Sequence, residues 1–161
     1  MPVTDVSHDL DTRTLTITAE FAAPRDRIWQ IYADPRQLEK IWGPPTYPAT
    51  VVEHSLTPGG RVTYYMTSPE GEKFGGYWKV ISVDEPHGFS FEDGFADANL
   101  EPVTTMPVST STYTFAEDGG RTTAIYVSVY DTAEGLQQVL DMGVVEGATG
   151  AINQIDDLLA H

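Results

Sequence analysis

The first regular pattern along the chain is an alternation of apolar and polar residues. Leu15, Ile17, Ala19 and Phe21 alternate with polar residues, and this period of two predicts a half-buried strand over 14–21. No regular pattern precedes it. We therefore expect this strand to be the first element of the fold.

Two short helices are predicted after this strand. Apolar residues lie on one side of a helix over 25–33. Asp34 ends this helix, because the residue before a proline disfavours helical geometry. The same Asp34 is a suitable cap for a second helix over 35–41, which a Gly-Pro-Pro triplet ends.

Six further strands are predicted in the middle of the chain, separated by turns rich in Gly, Pro and Asp. They are expected over 47–56, 61–68, 73–83, 89–93, 108–117 and 121–130. Turns that recur at this spacing are typical of an antiparallel meander. The segment between the fourth and fifth of these strands is predicted to be an irregular loop.

From Asp131 onward the apolar period becomes helical. Asp131 and Glu134 resemble a capping box, and apolar residues recur at helical spacing up to Ala160. We predict one continuous helix of roughly 30 residues, about 43 Å long at 1.5 Å per residue. The predicted fold class is therefore α+β, with an antiparallel sheet curved around a long C-terminal helix and two short helices after the first strand. Its length fits a single domain over 1–161.

The middle of the predicted long helix consists of small residues. Gly143, Gly147 and Ala151 are spaced four apart and share one face. Each interior glycine costs about 0.5–1 kcal/mol relative to alanine. Either these residues leave room for a cavity, or they let the helix backbone pack closely against the sheet. The helix pattern alone favours neither alternative.

Large side chains on one face of the predicted sheet favour the cavity. Ligand sites are concave and mostly apolar, and large side chains curving around a slim helix would enclose such a site. For each aromatic residue alone a core role is more common, so the prediction depends on the whole set. The predicted cavity-lining residues are Trp42, Tyr64, Met66, Phe74, Trp78, Phe89, Phe91, Tyr113, Val139, Met142, Gly143 and Gly147.

Composition limits the class of partner. The net charge of -15 disfavours binding to nucleic acids and to anionic membrane surfaces. No stretch approaches the roughly 20 apolar residues of a membrane-spanning helix, so we expect no membrane insertion. The chain has no cysteine, which excludes disulfides and thiolate zinc sites and fits a cytoplasmic location.

Candidate catalytic residues are few. His8, His54, His87 and His161 are scattered without metal-ligand spacing, so we predict no metal site. His54 and Glu53 are neighbours on a predicted strand and point to opposite faces. One of them is a candidate general acid–base in the cavity, although a surface pair is more common. Neither a G-x-S-x-G elbow nor a phosphate-binding loop is present, so we predict no cofactor and assign no catalytic residue.

Three acidic residues flank the irregular loop. Asp93, Asp97 and Glu101 lack the regular spacing of a calcium-binding loop. We therefore interpret them as solvated.

Several short motifs occur in an order and spacing typical of one family. They are Ile28-Trp29 after an Ala-Pro, Trp42-Gly43-Pro44, Pro58-Gly59-Gly60, Met66, Gly75-Gly76-Tyr77-Trp78, Val83-Asp84-Glu85-Pro86, Gly120-Arg121-Thr122-Thr123 and Met142-Gly143 with Glu146-Gly147. Over about Leu15 to Leu159 the chain resembles the SRPBCC (START-like) superfamily and, within it, the activator of Hsp90 ATPase homologue 1-like family. The resemblance implies a helix-grip fold with a pocket for a hydrophobic small molecule.

Three functions are compatible with this resemblance. The preferred hypothesis is binding of a hydrophobic or aromatic small molecule, lipid- or polyketide-like, in the internal cavity. One alternative is an enzyme resembling polyketide cyclases or dehydratases, which would use Tyr, His or Glu side chains of the cavity wall. The other is a co-chaperone-like module that binds proteins through its acidic surface. Whether there is catalytic turnover, and whether the protein is a homodimer, stays open.

Overall fold

Residues 2–160 form one sheet and four helices. A computed structural model describes residues 2–160, so His161 and the outermost bounds of the predicted domain lie outside the described residues. The elements in chain order are β1 (Val3–Asp9), β2 (Thr14–Phe21), α1 (Arg25–Ala33), α2 (Pro35–Ile41), β3 (Ala49–His54), β4 (Arg61–Thr67), β5 (Lys73–Asp84), β6 (Gly88–Ala96), β7 (Ser109–Asp118), β8 (Arg121–Tyr130), α3 (Ala133–Asp141) and α4 (Val144–Leu159).

The eight strands form a single antiparallel sheet in the order β1-β2-β8-β7-β6-β5-β4-β3. Strands β3 to β8 are the predicted meander, and β2 pairs with its last strand. The chain must therefore cross from β2 to β3, at the far edge of the sheet, and α1 and α2 make this crossing. The α+β helix-grip prediction is confirmed.

The helices cover the face of the sheet that carries the apolar side chains. Helix α1 packs against β7 and β8, α2 packs against β3 and α4, and α4 also contacts β1. The largest buried side chains come from both layers, for example Tyr32 of α1 and Trp78 of β5. No helix of residues 2–160 is long and apolar enough to cross a membrane.

Strand β1 is missing from the sequence prediction, so the two short helices follow the second strand rather than the first. Most side chains of β1 are exposed, and it therefore lacks the alternation that marks a half-buried strand. Val6 pairs with Ile17 of β2 and packs against the core. Strand β1 is held at the sheet edge by backbone pairing with β2, and this pairing requires no regular pattern of apolar residues in β1.

The predicted single C-terminal helix is also wrong, because the helix is broken at Gly143. This residue has a φ of 90°, a left-handed conformation that glycine adopts at low cost. The Gly143 N–H donates to the Leu140 carbonyl at 3.1 Å, closing α3 before α4 begins. The start of α3 differs as well, since its cap is Thr132, whose Oγ1 accepts from the Gly135 N–H at 2.9 Å. The helical period continues through the break, so the pattern of apolar residues does not reveal it.

Candidate functional site

A cavity of about 370 Å³ lies between the concave face of the sheet and helices α3 and α4. Its walls are mostly apolar, a composition typical of small-molecule sites. Three of its lining side chains are also exposed on the molecular surface: Tyr47 is 37%, Phe74 50% and Met142 55% exposed. These three residues therefore mark the opening of the cavity.

Gly147 of α4 leaves open space, which decides between the two alternatives of the sequence analysis. A Cβ added to Gly147 would have no atom within 4 Å, other than its own helix backbone and chain neighbours. Close packing would place sheet atoms there. Ala148 and Ala151 continue the small wall toward Ile152. Helix α4 thus borders the cavity with small side chains, and the close-packing alternative is wrong at Gly147.

Nine of the twelve predicted residues line the cavity. They are Trp42, Tyr64, Met66, Phe74, Tyr113, Val139, Met142, Gly143 and Gly147. The prediction is wrong for Trp78, Phe89 and Phe91, which do not line it and are at most 3% exposed.

These three aromatic side chains belong to a packed cluster that rings of α1 contact at Phe89 and Trp42 contacts at Trp78. The Trp78 and Phe91 rings stack with centroids 4.3 Å apart. Trp29 of α1 meets Phe89 edge to face at 5.8 Å, and Tyr32 is 5.9 Å from the same ring. Because α1 supplies large rings to this part of the sheet, the aromatic residues there fill the core instead of facing a cavity.

A row of polar side chains crosses the sheet at the other end. Asp93 of β6 pairs with Ser109 of β7, and Ser109 pairs with Tyr130 of β8. All three line the cavity. Residues paired across neighbouring strands project from the same face, so this row places a carboxyl and two hydroxyl groups side by side on an otherwise apolar wall.

The Asp93 carboxyl is enclosed by protein and remains accessible from the cavity. Burial raises the pKa of Asp93 to about 7, and hydrogen bonds from the Tyr64 hydroxyl and the Gly94 N–H offset part of this rise. Tyr64 comes from β4, two strands away, and its ring lies over Gly76 of β5, where any Cβ would overlap it. Gly76 of β5 therefore lets Tyr64 reach Asp93 across the intervening strand.

The tyrosines around Asp93 stay neutral. Burial raises the pKa of Tyr64, Tyr113 and Tyr130 well above the usual value for tyrosine. The negative charge of Asp93 raises each of them further. Near neutral pH, Asp93 is consequently the only one of these four groups that changes its charge.

Other hydroxyl groups that line the cavity, those of Ser128, Tyr32 and Tyr126, have hydroxyl partners in the protein. Ser111 Oγ is 2.8 Å from Ser128 Oγ, and the hydroxyls of Tyr32 and Tyr126 are 2.9 Å apart. Such pairs satisfy polar atoms without requiring a ligand. They provide polar contact points on the wall without adding charge.

The acid–base candidates of the sequence analysis do not reach the cavity. His54 Nε2 lies 2.9 Å from the Tyr32 carbonyl oxygen, and Glu53 accepts a hydrogen bond from Thr63 Oγ1. Neither His54 nor Glu53 lines the cavity. The cavity-wall acid of the described residues is Asp93 instead.

The remaining candidates lie outside the cavity as well. His87 sits 3.7 Å from Asp84 in a turn, His8 is exposed on β1, and the Asp97 carboxylate accepts backbone N–H groups of its own loop. Within residues 2–160, no three His, Asp or Glu side chains form a group that could hold a metal ion.

Sequence reasoning missed the polar row. The predicted fourth strand ends at Asp93, whereas β6 continues to Ala96. The interpretation of Asp93 as solvated is therefore wrong, because its carboxyl faces the cavity. Phe89, Phe91 and Asp93 are two residues apart, and strand parity places them on one face. Ser109 likewise shares one face of β7 with Tyr113. Strand alternation therefore predicts that Asp93 and Ser109 face the cavity, if polar residues are included in the pattern along with the aromatic ones.

A second depression, of about 460 Å³, lies near the cavity opening. It shares Phe74 and Phe95 with the cavity. Its other lining residues include Lys73, Leu100 and Val103. It is therefore an alternative binding location, and an experiment that maps a ligand must distinguish it from the cavity.

Comparisons with known proteins give one family. The sequence pattern of the family described as Activator of Hsp90 ATPase homolog 1-like protein matches residues 22–160. No curated protein matches the chain.

Solved structures similar to this chain cover nearly all of it. The crystal structure of protein Ms6760 from Mycobacterium smegmatis is 72% identical, with a TM-score of 0.91, and the match covers 98% of this chain and 97% of that chain. A solution structure of a protein from Arthrobacter aurescens is 40% identical, with a TM-score of 0.94 and coverage of 98% and 92%. DynU16, from the dynemicin biosynthetic locus, is 16% identical over 89% of this chain and 47% of that chain, with a TM-score of 0.62. This last likeness shows the fold alone.

Proposed function

This chain belongs to the Activator of Hsp90 ATPase homolog 1-like family, and we propose that it binds a hydrophobic or aromatic small molecule, lipid- or polyketide-like, in the cavity beneath α3 and α4. The observation that carries the proposal is the cavity of about 370 Å³ with its mostly apolar wall. This volume lies within the roughly 300–1,000 Å³ range of small-molecule sites.

The composition of α4 supports the same proposal. Gly147 and Ala151 line the cavity, where larger apolar side chains would fill the space and stabilise the fold. An interior glycine with open space around its Cβ position costs stability without a packing benefit. A ligand that fills this space explains why the small side chains are there.

The proposal is tested with a variant that fills the cavity. Native mass spectrometry of the freshly purified chain, followed by a thermal-shift screen against fatty acids, flavonoids and polyketide-like aromatics, would identify binders. A ligand that binds only the folded state at 100 times its dissociation constant stabilises it by about 2.7 kcal/mol. Gly147→Leu should abolish the mass adduct and the thermal shift. Gln138→Leu is the matched control, because it adds the same side chain at an exposed position of α3.

Both results bear on the proposal. Binding by wild type and Gln138→Leu but not by Gly147→Leu would support the cavity as the site. Binding that Gly147→Leu retains in full would contradict it, and so would a complete lack of binders among compounds of all three classes.

One observation favours a second candidate, an enzyme. Asp93 lies on the cavity wall with a pKa near 7, the range in which a carboxyl can both accept and donate a proton at neutral pH. Each binder from the screen should therefore be incubated with wild type and with Asp93→Asn, and the products analysed by mass spectrometry. Turnover by wild type that Asp93→Asn loses would establish catalysis. Unchanged recovery of every binder would leave binding as the function.

A further inference from the structure

The charge balance of the cavity points to the class of ligand. Among the described residues that line it, Asp93 is the acidic one, and none is Lys, Arg or His. An ionised carboxylate enclosed by protein without a counter-charge is costly. This cost falls when a positive charge lies beside the carboxylate, and no cavity-lining side chain of the described residues supplies that charge.

The side chains near Asp93 suit a cation. The cavity-lining aromatic rings that interact with Asp93 belong to Tyr64, Tyr113 and Tyr130, and the Trp42 ring lies next to Tyr64. Aromatic faces attract ammonium groups through the negative charge of their π-systems. The rings of Trp42 and Tyr64 are nearly perpendicular, at 76°, with centroids 5.7 Å apart, so two walls of this corner are aromatic and differently oriented.

The charge of the whole chain acts in the same direction. Its net charge of -15 produces a negative potential that raises the local concentration of cations and repels anions. An anionic ligand would meet this potential outside and Asp93 inside. The negative potential of the chain and the Asp93 carboxylate both favour an apolar ligand that carries a cationic group.

We infer that the ligand of this cavity is an apolar or aromatic molecule with a basic nitrogen, whose ammonium group pairs with Asp93 while its ring system lies against α4. This inference rests on the proposed function, since it names the ligand class of the same cavity. The competing arrangement is a protonated Asp93 that donates to a carbonyl oxygen of a neutral ligand.

A matched pair of probes separates these arrangements. 2-Naphthylmethylamine and 2-naphthylmethanol share one ring system and differ in charge, and their affinities are measured by calorimetric titration at pH 8. The amine should bind wild type about 10- to 100-fold more tightly than the alcohol, the range expected for a hydrogen bond to a charged group. Asp93→Asn should bring the two affinities within about threefold, mainly by weakening the amine.

Glu92→Gln is the matched control variant. Glu92 neighbours Asp93 on β6 and accepts a hydrogen bond from Tyr77 at 2.9 Å, and it does not line the cavity. The Glu92→Gln variant removes the same charge from the chain as Asp93→Asn and should preserve the preference for the amine. A melting curve of each variant verifies that it is folded.

The pH dependence gives a second readout. Ionisation of Asp93 should raise the amine-to-alcohol affinity ratio about tenfold between pH 6 and pH 8, with no change in Asp93→Asn. The titratable groups facing Asp93 from other strands are Tyr64, Tyr113 and Tyr130, which stay neutral in this window. Helices α3 and α4 border the cavity with side chains that do not titrate.

The outcomes distinguish the inference from the proposed function. Equal affinities of wild type for the two probes would overturn the amine inference and leave the cavity as a site for neutral ligands. Alcohol binding that weakens above pH 7 would overturn it too, in favour of a protonated Asp93. If neither probe binds, the amine inference is overturned, whereas the proposed function fails only if the screen of fatty acids, flavonoids and polyketide-like aromatics finds no binder either.

Discussion

The two ends of the concave face of the sheet are filled in opposite ways. Beneath α1, rings from both layers pack directly against each other, and Trp78, Phe89 and Phe91 are almost completely buried. Beneath α4, the helix presents Gly147 and Ala151, and a cavity lies between it and the sheet. One sheet therefore carries a packed core that stabilises the fold and a hollow region available for function.

The comparison shows that an aromatic side chain on this face has a role set by the side chains that cover it. Phe91 and Tyr113 lie on neighbouring strands with ring centroids 5.1 Å apart. Phe91 is covered by other rings, whereas Tyr113 borders the cavity. The rings of Trp78 and Phe89, which stack on Phe91, account for this difference.

Truncation in the packed region should have the largest effect. Phe91→Ala removes a ring that is 0% exposed, and such a change lowers the free energy of unfolding by about 3–5 kcal/mol. Phe74→Ala removes the same atoms at the cavity opening, where the ring is 50% exposed, and should cost about 1 kcal/mol or less. Urea unfolding of both variants measures the difference. Equal losses would contradict the division into packed and hollow regions.

The polar wall of the hollow region should make stability depend on pH. Because burial raises the pKa of Asp93 from 3.8 to about 7, the folded state holds this proton more tightly than the unfolded chain. Its contribution to stability is present at low pH and is lost as the pH rises through about 7. Asp93→Asn cannot titrate, so between pH 4 and pH 8 it should gain about 2–4 kcal/mol relative to wild type.

Urea unfolding of wild type and Asp93→Asn at the two pH values measures this gain. Taking the difference between the proteins cancels the other titrating groups, including Asp34, whose pKa is lowered by hydrogen bonds from Gln37 and Arg36. A difference that is the same at both pH values would show that the Asp93 carboxyl is not buried.

The smallest effect is expected on α4. Gly147→Ala places a methyl group in open space and should stabilise the fold by about 0.5–1 kcal/mol, the usual difference between the two residues in a helix. Gly143→Ala is the contrasting variant. It forces alanine into a φ of 90°, and should destabilise by more than that amount. A loss of stability in Gly147→Ala would indicate close packing against the sheet.

The fold follows largely from local patterns in the sequence. Helices α1 and α2 begin and end where Asp34 and the flanking prolines predict, and β8 matches its predicted bounds. The exceptions have a physical cause. Strand β1 is exposed, and the break at Gly143 depends on a backbone conformation that leaves the helical period of apolar residues intact.

The candidate site is less predictable, because it depends on what covers each residue. Helix spacing places Gly143, Gly147 and Ala151 on one face, but the open space around Gly147 is visible only in the structure. The burial of Phe89 requires knowing that Trp29 lies over it. The environment of Asp93 depends on Tyr64 reaching across Gly76, an arrangement among three strands that no local pattern encodes.

The central claim, that the hollow region is the ligand site, is tested most directly by mapping where a probe binds. Titration of the ¹⁵N-labelled chain with 2-naphthylmethylamine, followed by amide NMR shifts, gives this map. The account predicts that the largest shifts occur at Gly147 and Ala151 of α4 and at Tyr113 of β7. Shifts confined to Lys73 and Leu100, in the neighbouring depression, would contradict it.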